Sequence, residues 1–209
     1  MGWWKEQVVP RATDVLLGVG EIHKLRERVC AGLEGEVLEI GFGSGLNVEH
    51  YPPAVTKVFA VEPSDVAWRI AVGKHLGAGR PPVVRAGLDG QALDLPSGSV
   101  DHAVSAFTLC TVPHHDVALR EVRRVLKPGG SFHFLEHGLA PDRGVARWQH
   151  RLTPIQRRVA AGCHLDRPIA DAVEESGLVV EDLETFYLPG AVSVAKVAGY
   201  LYLGRAVRR

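Results

Sequence analysis

Val37-Leu38-Glu39-Ile40-Gly41-Phe42-Gly43-Ser44-Gly45 decides how this chain is read. Val37, Leu38 and Ile40 form a short apolar run of the kind that makes a buried strand, and three glycines on alternate positions follow at once. Glycines there let the backbone turn sharply and approach a ligand that a Cβ would hold off. A tight turn with no ligand would use the same residues. The chain then enters a short candidate helix at Leu46–His50, ended by Pro52 and Pro53, whose free N–H groups face an anionic group.

The dinucleotide fingerprint Gly-x-Gly-x-x-Gly needs a third glycine where this chain has Leu46. Gly45 falls one residue early, so the spacing leans away from NAD and toward another adenosine-like ligand. Val58–Val61 is a second candidate strand, closed by Glu62. That acid stands roughly 20 residues past the first glycine, where a βαβ unit delivers a carboxylate to a ribose hydroxyl pair. An ordinary strand-end acid facing water is the alternative. Ser64 is placed to cap a helix running to Gly77.

Outward from this unit, apolar stretches alternate with helical patterns, which predicts a doubly wound, mostly parallel α/β sheet. Ile22, Leu25, Val29 and Leu33 recur at helical spacing before the first strand. Further strands are expected at Val83–Arg85, Ala103–Cys110 and Ser131–Leu135, with a helix over Asp116–Leu126 stopped by Lys127-Pro128-Gly129-Gly130. Val145–Ala161 reads as helix with a kink or restart at Pro154, and Pro168 opens another helix ending near Gly177. Leu178–Tyr187 and Gly199–Ala206 read as two last strands. Trp3–Leu17, interrupted by Pro10, is either a lid or a packed extra helix.

The 209 residues fit one domain. Lysine and arginine number 24 against 24 acidic residues, so no strong field attracts nucleic acid or an anionic membrane, and small-molecule chemistry is favoured. Three widely spaced cysteines, Cys30, Cys110 and Cys163, suit a reducing compartment. No apolar run approaches the roughly 20 residues of a membrane span, so a cytoplasmic protein is expected. The sequence does not address oligomeric state.

Four motifs resemble the class I S-adenosylmethionine-dependent methyltransferases: Leu38 to Gly45; Val61-Glu62-Pro63-Ser64; Asp89-Gly90-Gln91-Ala92-Leu93 ahead of Pro96 to Asp101; and Arg120 to Gly130. The resemblance covers about Leu33 to Ala206. It implies a Rossmann-like seven-stranded sheet with an antiparallel last strand beside the fifth, and S-adenosylmethionine as cofactor. It assigns the glycine loop of Gly41, Gly43 and Gly45 to the methionine part, Glu62 to the ribose diol, Asp89 to the adenine amino group and Gly90 to the adenine ring, with Glu39 near the amino end. Phe42, Asn47, Pro63, Thr108 and Cys110 complete the cofactor set it implies.

Within that superfamily the chain is similar to small-molecule enzymes, the ubiquinone-type methyltransferases and the thiol S-methyltransferases of the methyltransferase-like group. The narrower match rests on Asn47–Pro52, Leu109-Cys110-Thr111-Val112, Phe134 to His137, Trp148-Gln149 and Gly162 to Leu165 with Arg167. The hydrophobic anchor of those thiol enzymes is not expected here.

In-line methyl transfer asks mainly for positioning and water exclusion. A thiol of reference pKa about 8.5 already supplies thiolate near neutrality, whereas a phenol asks more of a base. His137, at the end of the fifth strand, is the candidate base. It could equally be hydrogen-bonded to Glu136 or a nearby carbonyl. Cys110 either lines the acceptor pocket or packs as a small hydrophobe. Trp148 is expected to pack a helix. No metal is expected, since His133 and His137, four residues apart on a strand, are separated by roughly 13 Å. Arg157 and Arg158 read as a solvated helix face.

Overall fold

The structure, a computed structural model, describes residues 20–188 and 195–209, together with residues 8, 11, 14, 15 and 17. Most of the segment predicted as a lid, and residues 189–194 of the last connection, lie outside the described residues.

Seven strands form one sheet: β1 (Gly35–Ile40), β2 (Val55–Val61), β3 (Val83–Gly87), β4 (Val100–Ala106), β5 (Leu126–His137), β6 (Val179–Tyr187) and β7 (Tyr200–Val207), in the order β3-β2-β1-β4-β5-β7-β6. β1 pairs in parallel with β2 and β4, β2 with β3, and β4 with β5; β7 runs antiparallel to both β5 and β6. The order reverses direction between β1 and β4. That is the switch point beyond whose carboxyl ends open α/β sheets hold their ligands.

The helices are α1 (Glu21–Cys30), α2 (Asp65–Lys74), α3 (His115–Val125), α4 (Arg143–Val159) and α5 (Ile169–Glu175). Side chains alternate across β1, so Val37 joins the core with Ile22, Leu25 and Val29 of α1. Leu38 and Ile40 join the opposite core with Leu119, Val122 and Val125 of α3 and Ile169 of α5. The strand is buried on both faces, which explains its unbroken apolar run.

Several boundaries differ from the sequence reading. The segment predicted as helix over Leu46–His50 makes only a 3₁₀ turn at Val48–His50. Ser64 caps α2 as expected, its side chain accepting from the Ala67 N–H at 3.2 Å, but that helix ends at Lys74. Lys127 to Gly130 belong to β5 rather than to a loop, and the β4–β5 register slips across them. A Cβ on Gly130 would lie 2.6 Å from the Asp101 carbonyl oxygen, so only glycine lets the strands approach there. Pro154 neither ends nor restarts α4.

The fourth strand ends at Ala106, not Cys110. Phe107 leaves the sheet at φ 56, a left-handed conformation uncommon for a bulky residue. Residues 107–113 then form a separate wall over the sheet edge.

Candidate cofactor site

A cavity of about 450 Å³ opens at the carboxyl edge of β1, β2 and β4, within the size range of small-molecule sites. Of the residues singled out from the sequence, Glu39, Gly41, Phe42, Gly43, Glu62, Pro63, Asp89, Gly90 and Thr108 line it. Gly45, Asn47, Cys110 and His137 do not.

Gly41 closes the β1 end at φ 71, and a Cβ there would sit 2.6 Å from Thr108 Cβ and closer still to both branches of that side chain. Because Thr108 Cβ is fixed to its backbone, no rotamer relieves that contact. The glycine loop therefore lies directly on the 107–113 wall.

Glu62 is 6 % exposed, which removes the reading of an acid facing water. Its carboxylate accepts from the Gly43 and Ser64 backbone N–H groups, both at 2.7 Å. Burial pushes its pKa up, and those N–H bonds and the Arg85 charge oppose the rise. Arg85 also donates to the Glu62 carbonyl oxygen at 2.7 Å, fixing the strand end. Asp89 is solvent-exposed and accepts from the Gln91 side-chain amide and backbone N–H, both at 2.8 Å, which lowers its pKa.

Glu39 is buried at the end of β1 among groups that sequence reasoning did not assemble. Asn47 donates to it at 2.6 Å, the Tyr51 hydroxyl donates to its other oxygen, and Arg26 of α1 donates to Asn47 at 2.7 Å. Burial raises the Glu39 pKa to about 7, against the pull of Tyr51, Arg26 and Asn47. Asn47 thus acts through Glu39 rather than on the cavity. Arg26 itself lines the cavity, and its position four residues after Ile22, on the buried face of α1, was the available signal.

Two further buried residues shape the 107–113 wall. One Glu136 oxygen accepts from the Ser105 hydroxyl at 2.6 Å and from the backbone N–H groups of Thr108 and Leu109 at 2.9 and 3.0 Å. Arg167 donates to the carbonyl oxygens of Leu109 and, at 2.7 Å, Val112. Neither role was readable locally, since both partners come from distant parts of the chain.

The candidate base is displaced. His137 is buried, its Nε2 lies 3.0 Å from Cys163 Sγ, and its Nδ1 has no partner among the described residues. It contacts Cys163, not the Glu136 carboxylate or a carbonyl. Cys110 and Cys163 are likewise buried, and one donor atom from each of Cys110, His137 and Cys163 lies within 4.8 Å of the others. The Cys110 hydrogen bond, followed by that of His137, drives the Cys163 thiol well down against burial. Burial disfavours charge on His137, but contact with Cys163 raises its pKa nonetheless. Strand spacing does keep His133 apart: its ring faces the Val29 carbonyl and Ser131.

Trp148, expected to pack a helix, is 53 % exposed, with Arg151 of the same helix over its ring. Arg157 and Arg158 border a second, open cavity of about 770 Å³, which shares Thr111, Pro113 and Ala161 with the first. His114 and His164 also line it, and no acidic residue does. Among the described residues no helix is long and apolar enough to cross a membrane.

A family model described as a methyltransferase domain matches residues 38–134, which contain the glycine loop, Glu62, Asp89 and most of β5. The human thiol S-methyltransferase TMT1A is 33 % identical over 186 residues, covering 85 % of this chain and 73 % of that protein. Rat thiol S-methyltransferase TMT1B is 34 % identical over 158 residues, covering 72 % of this chain and 63 % of its own length. A Thermotoga maritima S-adenosylmethionine-dependent methyltransferase structure matches with TM-score 0.68 at 20 % identity, over 99 % of this chain and 98 % of that one. The glycine loop, the buried Glu62 that follows β2 and Asp89 that follows β3 all line one cavity. By fold, site and relatives together, the chain belongs to the class I S-adenosylmethionine-dependent methyltransferases.

Proposed function

We propose that this enzyme methylates the sulfur of a small, largely apolar thiol by in-line displacement. One observation carries the choice of acceptor: among the described residues lining the glycine-loop cavity there is no histidine, lysine, cysteine or tyrosine. The proton-accepting side chains on that wall are the carboxylates of Glu39, Glu62 and Asp89, which this reading commits to the cofactor, so an acceptor that supplies its own anion is favoured. A thiol with a reference pKa near 8.5 does so better than a phenol near 10. The relatives named as thiol S-methyltransferases support the same reading.

S-adenosylmethionine supplies a methyl group on a cationic sulfur. The chain's own residues bind and orient. In this reading Gly41, Phe42 and Gly43 border the amino acid part, Glu39 faces its ammonium, Glu62 takes the ribose hydroxyls, and Asp89 with Gly90 meets the adenine. Phe107, Val112, Pro113 and Ala161 offer an apolar acceptor side that excludes water, consistent with a reaction limited by positioning. His137 and Cys110 act behind that wall, not as base or cofactor ligand.

The test is methyl transfer from labelled cofactor to shape-matched thiols, phenols and amines across pH 6 to 9. Thioether formation is expected to dominate and to rise with pH until the thiol is ionised. A phenol turned over faster than its matched thiol overturns the acceptor assignment. Glu62→Ala is expected to weaken cofactor binding by about 1.5–3 kcal/mol for each charge-assisted hydrogen bond lost. An unchanged Kd by calorimetry removes Glu62 from the sugar.

A further inference from the structure

The cluster of Cys110, His137 and Cys163 takes no part in the reaction proposed above, yet it gathers three soft donor groups in a buried place. Cys110 comes from the turn after β4, His137 from the last residue of β5, and Cys163 from the turn after α4. Their exposures are 2, 9 and 7 %. One donor atom from each lies within 4.8 Å of the other two, with no carboxylate in the group. Gln156 adds a side-chain amide 3.9 Å from Cys163 Sγ.

We propose that Cys110, His137 and Cys163 hold one Zn²⁺ ion behind the 107–113 wall, through two thiolates and one neutral imidazole, with an exogenous donor at the fourth position. Three protein ligands of these types with one open position are a known zinc arrangement. Charge favours it: two thiolates neutralise the dication, whereas one buried unpaired ion would be costly. Geometry requires little movement of His137 and Cys163 relative to each other. Zn–N near 2.0–2.1 Å and Zn–S near 2.3 Å in a tetrahedron put nitrogen and sulfur roughly 3.6 Å apart. His137 Nε2 and Cys163 Sγ are 3.0 Å apart, so the pair opens by about half an ångström. A Cys110–Cys163 disulfide is the competing use of the two sulfurs, but it gives the imbalance of a third donor, His137, aimed at the same point for no purpose.

Such an ion would tie the cavity wall to the end of β5 and to the turn carrying Ala161 and Gly162. It does not depend on the acceptor being a thiol, and its readout is separate from methyl transfer. The full chain is purified under reducing conditions, stripped with a chelator, and titrated with Zn²⁺ or Co²⁺. One equivalent of zinc per chain is expected by elemental analysis, and Co²⁺ is expected to give a thiolate-to-metal charge-transfer band that Zn²⁺ abolishes. Cys110→Ser and Cys163→Ser are each expected to weaken uptake by roughly a hundredfold or more. Cys30→Ser, buried elsewhere, is expected to leave it unchanged.

Should the serine variants misfold, alkylation of the unaltered protein decides the matter: bound zinc is expected to shield Cys110 and Cys163, and the chelator to expose them. Less than a tenth of an equivalent at saturating Zn²⁺ with all three thiols reduced overturns the proposal. So does zinc held equally well without both Cys110 and Cys163, or a purified chain already carrying a Cys110–Cys163 disulfide.

Discussion

Along the glycine-loop side of the cavity, polar groups are satisfied by near neighbours: Glu62 accepts from Ser64, two residues away, and from Gly43, nineteen away. Across the cavity, the 107–113 wall is held by Glu136 from 28 and 27 residues away and by Arg167 from 58. The first side is a βαβ unit that carries its own ligand chemistry. The second has no regular structure and owes its shape to two buried charges brought from later in the chain. The two sides are thus held by different means, the first by local backbone geometry and the second by a few long-range contacts to buried side chains.

The contact between the two sides is the place to break that contrast. Gly41→Ala forces a left-handed alanine, about 1–2 kcal/mol, and drives its Cβ into Thr108, about 1–3 kcal/mol for overpacking. A loss of roughly 2–5 kcal/mol in unfolding free energy is expected from denaturant titration, together with loss of cofactor binding. Gly43→Ala, with only the Gly41 carbonyl oxygen 3.9 Å from its added Cβ, lacks the clash and is expected to cost less.

Glu39 sharpens the comparison through pH. Its pKa in the folded chain is about 7, against a reference of 4.5, so the folded state holds the extra proton between those values. Its contribution to the cofactor-free protein's stability is therefore full below about 4.5 and is lost as pH rises toward 7. Binding a cationic ammonium favours ionised Glu39 and runs the other way. Cofactor affinity is expected to rise about tenfold from pH 6 to pH 8, following the ionised fraction. Glu39→Gln is expected to flatten both profiles, and a wild-type affinity that does not change with pH would remove Glu39 from the ammonium.

The smallest effect is expected at the open rim. Arg157 and Arg158 are exposed, and exposed charges contribute about 0.2–1 kcal/mol. Replacing either with alanine is expected to raise KM for a carboxylate-bearing thiol by no more than about fivefold, leaving a neutral thiol unaffected. Equal changes for both acceptors would show that the second cavity does not read charge.

What was legible in the sequence follows the same division. Alternating apolar segments, the glycines of 41–45 and acids at strand ends are short-range signals, because a strand, its turn and its following helix are set within about 20 residues. The mostly parallel, doubly wound α/β sheet could therefore be anticipated from those signals, whereas the seven-strand count and the antiparallel strand beside β5 came from the family resemblance, and whether Glu62 is buried was left open until the structure showed it. The partner of His137 was not legible, for the complementary reason. Its position at a strand end is local, but its direction is set by Cys163, which arrives after α4.

Asn47 likewise carries a motif position without touching the cavity, because Arg26 and Glu39 take up its amide. The sequence by itself determined the sheet, its ligand edge and the adenosine-like character of what binds there, since backbone turns and strand burial are encoded by neighbouring residues. Only the tertiary structure decided which buried groups face the cavity and which face one another. Burial makes every polar atom seek a partner, and the partner that is found depends on how the whole chain packs.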